Sequence, residues 1–277
     1  MSLLSHLHVL NLAVNVPGPV AVAMLRDMGA RVTKVEPPSG DPLAAVSPGW
    51  YAELVRDVAV SRVDLKDNQQ RSAFESRLGG ADLLITGTRP AALDRLGLDW
   101  DGLHARHPRL CVVAIVGYPA PRQDVAGHDL TYQAEEGLVA PPSMPRTLIS
   151  DLAGAQRAVI AALGLIVARN RTGAGGRVEV SLSESARFFA EPAARGITAQ
   201  DAPLGGKLAT YNVYPAREGW VALAALEPHF AERLQRHMGV NVTDRNVLAF
   251  AFLERTATEW QAWAEARDLP LVAVKQR

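Results

Sequence analysis

Cysteine is almost missing from this chain. Cys111 stands alone, so an internal disulfide is excluded. It lies in the apolar run 110–116, which reads as a buried strand and makes the thiol a core group rather than a nucleophile. Surplus charge is missing too: 29 Lys and Arg balance 29 Asp and Glu, whereas a nucleic-acid-binding domain is basic. No apolar run reaches the roughly 20 residues of a membrane span. The opening Met-Ser-Leu-Leu-Ser-His lacks the basic stretch of a secretory leader, so a cytoplasmic enzyme is expected. No His, Cys, Asp and Glu cluster has metal-ligand spacing, so no metal is expected. Neither G-x-G-x-x-G nor G-x-x-x-x-G-K-[ST] occurs, which removes the two best-defined nucleotide-phosphate motifs.

What is present is ordinary globular material, 48% hydrophobic and 21% charged. Residues 8–13 and 31–36 read as strands. Between them, Pro17-Gly18-Pro19 opens a helix over 20–28 that Gly29 closes. This βαβ unit predicts a parallel sheet, continued by strands at 83–86, 110–116 and 177–182, with a helix over 93–106. The fold class expected is α/β, a large Rossmann-like parallel-sheet domain over 1–200. A polar, Pro- and Gly-containing stretch at 200–207 marks the boundary to a smaller α+β domain over 205–277. That domain holds a hairpin, 210–214 against 220–224, and helices at 229–238 and 257–266.

Two titratable residues stand out. Gly127-His128-Asp129-Leu130-Thr131-Tyr132 brings an imidazole, and Ser150-Asp151-Leu152-Ala153-Gly154 brings a carboxylate at the head of an apolar run, 152–167, that reads as a buried helix. An imidazole and a carboxylate facing one cleft can exchange a proton with the same atom. At that position Asp151 would also cap the helix, in the positive field of its N-terminus.

Several further stretches, taken in order, carry a resemblance. They are Pro17-Gly18-Pro19, Gly29-Ala30-Arg31-Val32-Thr33-Lys34-Val35-Glu36, Val63-Asp64-Leu65-Lys66, Arg89-Pro90 with Arg95-Leu96-Gly97-Leu98, and Arg171-Thr172-Gly173-Ala174-Gly175-Gly176. With these the chain resembles the family III CoA-transferases, which include formyl-CoA transferase, the carnitine CoA-transferase group and α-methylacyl-CoA racemase. Gly127-His128-Asp129 with Tyr132, and Ala225-Leu226-Glu227-Pro228-His229-Phe230, are similar to the racemase branch in particular. The chain departs from the family at residues 54–60, Leu-Val-Arg-Asp-Val-Ala-Val, where a basic run is usual.

The resemblance implies the fold of that family and an interlocked homodimer, with each active site between one subunit's large domain and the other's small one. Coenzyme A would enter as an acyl-CoA substrate, with no permanently bound cofactor. His128, Asp151 and Glu227 would form the catalytic set, and Arg89, Arg95, Lys34, Tyr132 and Gly154 would contact the CoA ester. The two arginines would act as fixed cations on its phosphates, and Gly154 would allow close approach. In a 2-methylacyl-CoA racemase, the preferred reading, His128 and Asp151 take and return the α-proton on opposite faces. Glu227 orients His128, and free N–H groups at the start of the Asp151 helix hold the enolate oxygen. In a CoA-transferase, Asp151 attacks the thioester and forms an acyl anhydride. A third reading, prompted by residues 54–60, is a catalytically silent CoA-binding or assembly subunit.

Overall fold

The computed structural model describes residues 2–275. The chain divides into two compact units, Met1–Ala190 and Glu191–Arg277. In chain order the first comprises β1 (His8–Asn11), α1 (Pro17–Asp27), β2 (Arg31–Glu36), α2 (Pro42–Val46), α3 (Pro48–Leu54), β3 (Ala59–Arg62), α4 (Asn68–Leu78), β4 (Leu83–Thr86), α5 (Pro90–Arg95), α6 (Trp100–Arg106), β5 (Cys111–Val116), α7 (Asp129–Glu135), α8 (Ile149–Thr172), β6 (Arg177–Ser181) and α9 (Leu182–Ala194).

All six strands are parallel, in the order β3-β2-β1-β4-β5-β6. This is the order of doubly wound nucleotide folds, in which the chain reverses its direction of growth between β1 and β4. Helices cover both faces, and the strand sequences show why. Every residue of β4 and of β5 is buried, so neither strand alternates. Val9, Val32, Ile85, Val113 and Ile115 pack on one side with α1 and α8. Leu10, Val35, Leu84 and Val112 pack on the other, with Phe74 and Leu78 of α4 and Leu103 of α6. Cys111 is fully buried on the α8 side, where burial pushes its thiol pKa up.

Helix α8 lies on the sheet through Ala155, Ala158, Val159, Ala162 and Ile166, small residues at helical spacing that let its backbone come close. It ends where Gly173 turns left-handed at φ 81°. By length and composition α8 is apolar enough to cross a membrane, contrary to the expectation that no such run exists. The same apolarity is what a helix needs to pack against a buried sheet.

Two expected features differ. The single helix over 93–106 is two helices, because Gly97 adopts φ 61° and Asp99 caps α6 by accepting from the Gly102 N–H at 2.8 Å. The division between units falls inside α9, so the polar stretch 200–207 lies within the second unit.

The second unit carries a 3₁₀ turn (Pro203–Gly205), β7 (Tyr211–Pro215), β8 (Trp220–Ala224), α10 (Pro228–Met238), α11 (Arg245–Phe252), α12 (Ala257–Glu265) and β9 (Leu271–Ala273). The hairpin β7–β8 is antiparallel and extended by β9. Tyr214, Val221, Leu223, Leu234, Phe252 and Trp260 fill its core. Buried polar tips are satisfied: Trp260 Nε1 donates to the Phe252 carbonyl at 2.8 Å and the Tyr214 hydroxyl to that of Ala209 at 2.6 Å.

Candidate active site

The carboxyl ends of β1, β4 and β5 open into a cleft of about 260 Å³, at the reversal point where doubly wound sheets bind ligands. The loop after β1 supplies Asn15, the loop after β4 supplies Arg89, and the loop after β5 supplies Gln123 and Val125. His128, Tyr132 and Asp151 line the same cleft. The two residues singled out from the sequence are therefore brought together, although the segment between them contains a helix and a proline-rich loop.

His128 precedes α7 and stands exposed at the cleft. Its N–H donates to Thr131 Oγ1 at 3.0 Å, and that hydroxyl donates back to the His128 carbonyl at 2.8 Å. This fixes the backbone that carries the imidazole. Tyr132, one turn further on, is buried against the edge of Tyr118, ring centroids 5.1 Å apart. A side chain at Gly127 would collide with this ring, at 2.5 Å from Cε1. Burial, with Tyr118 and Asp151 nearby, pushes the Tyr132 pKa up to about 12, so the phenol stays protonated.

Asp151 was expected to cap its own helix, and the structure corrects this. The chain turns into α8 at Leu148, which places Asp151 inside the first turn. The capping carboxylate is Asp129, a buried residue reaching across from α7. Its Oδ1 accepts from the N–H of Ser150 at 2.8 Å and of Asp151 at 3.1 Å, and its Oδ2 from Gln133 Nε2 at 2.5 Å. Two consequences follow. The Asp151 carboxyl accepts no hydrogen bond among the described residues and remains available to a ligand. Of the N–H groups expected to hold an enolate oxygen, those of Ser150 and Asp151 are occupied, and that of Leu152 is taken by the Leu148 carbonyl at 3.0 Å.

Asp151 is half-buried, and removal from water disfavours its charged form. The Asp129 carboxylate acts in the same direction, and together they raise its pKa from about 3.8 to about 7. The cleft thus holds an imidazole beside a carboxyl that exchanges its proton near neutrality.

The remaining expected contacts divide. Arg89 lines the cleft and is exposed. Arg95 is exposed at the end of α5 and does not line it. Lys34 does not reach solvent at all: it is fully buried, its Nζ 2.8 Å from Asp41 Oδ2 and 3.4 Å from Glu36 Oε1, so it cannot meet a phosphate. The space left by Gly154 is filled by the Leu182 side chain, which itself lines the cleft, so this glycine serves packing rather than substrate approach. Glu227 belongs to the second unit, where it immediately precedes α10. Asn15, Gln123 and the capping role of Asp129 escaped sequence reasoning. Only the Gly-His-Asp motif offered a signal, and that for Asp129 alone.

A second cleft, of about 380 Å³, adjoins the first across Val14. It is lined by Val35, Pro37, Val63, Leu65, Lys66 and Thr88, at the carboxyl ends of β2, β3 and β4.

Comparison with known proteins identifies the family of the chain. The model of the CoA-transferase family III matches residues 4–276. Succinyl-CoA–D-citramalate CoA-transferase of Chloroflexus aurantiacus is 28% identical over 85% of this chain and 65% of its own length. Alpha-methylacyl-CoA racemase of Homo sapiens is 26% identical over 88% of this chain and 70% of its own. A hypothetical protein from Mycobacterium tuberculosis, 24% identical, shares the fold with a TM-score of 0.85 over 100% of this chain and 85% of that one. The chain spans about half to two-thirds the length of most curated relatives that it matches.

Proposed function

Because the chain belongs to CoA-transferase family III, we propose that it is an acyl-CoA enzyme acting in the cleft of His128 and Asp151, and that its reaction is α-proton transfer on a 2-methylacyl-CoA. The observation that carries this reading is one cleft lined by an exposed imidazole and by a carboxyl with a pKa of about 7 that has no hydrogen-bond partner among the described residues. The α-hydrogen of a thioester is weakly acidic, so its removal needs a base whose pKa lies near the working pH. A racemase needs two such groups, one taking the proton and one returning it on the opposite face. His128 and Asp151 fill these roles and exchange them with substrate handedness. In the interlocked homodimer expected for the family, Glu227 of a second subunit would orient His128. The CoA moiety would run from the second cleft across Val14 to the first, with Arg89 as its cation near the thioester and Tyr132 donating a hydrogen bond into the cleft.

A second reading is favoured by the same free carboxyl. Ionised Asp151 could attack the thioester carbonyl, release CoA and carry the acyl group as an anhydride, as a CoA-transferase requires. That chemistry makes no use of the imidazole, so His128 separates the two. The test is α-hydrogen exchange on a 2-methylacyl-CoA in deuterated water, beside CoA transfer between carboxylic acids. His128→Gln is expected to lower exchange by at least about 100-fold. Absence of exchange in the unmodified protein, with transfer present and untouched by His128→Gln, establishes the transferase instead.

A further inference from the structure

Lys34 lies in β2 with none of its side chain exposed. An ammonium survives such burial only when it is paired. Its Nζ donates to Asp41 Oδ2 at 2.8 Å and to the Ala13 carbonyl at 3.3 Å. The other Asp41 oxygen, Oδ1, accepts from the backbone N–H of Asn15 at 2.9 Å and of Leu43 at 3.0 Å. Asn11, buried at the end of β1, holds Ala13 through both its carbonyl and its N–H, each at 3.0 Å. These buried polar groups therefore converge on residues 13–15, the loop between β1 and α1 that forms one wall of the cleft.

The loop ends in an unusual conformation. Asn15 has φ 64°, in the left-handed region that asparagine tolerates better than most residues. Asn15 is exposed and lines the same cleft as His128 and Asp151, and its carboxamide has no hydrogen-bond partner among the described residues. A thioester that loses its α-proton develops negative charge on its carbonyl oxygen and needs a donor already in place. The N–H groups of Ser150 and Asp151 are occupied by Asp129.

We propose that the Asn15 carboxamide, held at the cleft wall by the buried Lys34–Asp41 pair, donates to the thioester oxygen of an acyl-CoA. Lys34 and Asp41 are its positioning residues. The inference rests on the acyl-CoA reading of this cleft. Titration calorimetry with free CoA and with acetyl-, 2-methylbutanoyl- and succinyl-CoA tests it. Asn15→Gly keeps the left-handed backbone and removes only the donor. Asn15→Asp keeps the shape and puts an acceptor in its place. Both are expected to weaken the tightest-binding acyl-CoA by about three- to tenfold, the worth of one hydrogen bond, while free CoA changes by less than twofold. Lys34→Met is expected to repeat the acyl-specific loss and to add nothing on top of Asn15→Gly; should that variant not fold, the two Asn15 substitutions decide alone. Equal losses for free and acylated CoA, or no loss, overturn the proposal. So does a Tyr132→Phe variant that shows the acyl-specific loss when the Asn15 variants do not. An unmodified protein that binds none of the four ligands overturns the functional reading, and this inference with it.

Discussion

At Asp151 two effects act in the same direction. Burial and the neighbouring Asp129 both favour the protonated carboxyl, so its folded-state pKa of about 7 lies above the ordinary value of 3.8. The folded protein then binds more protons than the unfolded chain between those limits. The contribution to stability is complete below about pH 4, falls as the pH rises through about 7, and is constant above it. Asp151→Asn removes the titration. Its stability, followed by denaturant unfolding, is expected to equal that of the unmodified protein at pH 4 and to exceed it at pH 8 by about 4 kcal/mol at most. The same substitution is expected to abolish turnover, an exchange of stability against activity characteristic of reactive sites. The pH–rate profile separates the two chemistries. A transferase needs Asp151 ionised, so its rate rises with pH and levels off above about 7, whereas a racemase loses the direction in which Asp151 is the proton donor.

The elements matter because α7 and α8 share one carboxylate. Asp129 leaves α7 to cap α8, and in doing so it places a negative charge beside Asp151. Cap and charge can be separated by substitution. Asp129→Asn keeps an acceptor for the two N–H groups and removes the charge, so the Asp151 pKa falls and the midpoint of the pH–rate profile moves to lower pH. Asp129→Ala loses the cap as well and is expected to cost a further 1 kcal/mol or so in thermal unfolding. An unchanged midpoint in Asp129→Asn would show that burial alone sets the Asp151 pKa.

On the scale of the whole molecule, the outer face of α8 carries exposed apolar side chains. Ile160 and Val167 are 69% and 61% exposed and lie at helical spacing on either side of Gly164, and Phe188 of α9 is 68% exposed. A symmetric homodimer, the assembly proposed above, would cover such faces. Sedimentation equilibrium is expected to give about twice the 29.7 kDa of the chain. Ile160→Glu with Phe188→Glu is expected to shift the mass to that of one chain. A single-chain mass for the unmodified protein at micromolar concentration would refute the dimer.

Much of this protein was legible without coordinates wherever a local rule operates. Apolar runs with no alternation announced the parallel strands β4 and β5, and a proline and a glycine marked the ends of α1. The Gly-His-Asp motif and Asp151 marked the cleft. The helices α2, α3, α4, α7, α9 and α11 are not read from the sequence: α2, α3 and α7 are short, α4 is mostly polar, and the start of α7 depends on a threonine three residues on. A lysine in a motif gives no sign of its own burial, so the sequence reads Lys34 as a ligand contact. Composition and periodicity by themselves determined an α/β chain with a parallel sheet and a smaller second unit, since strand and helix patterns follow from which residues must leave water. Only the tertiary structure decided that Asp129 rather than Asp151 caps α8, that Lys34 is paired inside the fold, and that Asn15 faces the cleft. Each depends on groups brought together from different loops, where a hydrogen bond or a desolvated charge is set by distance in space rather than along the chain.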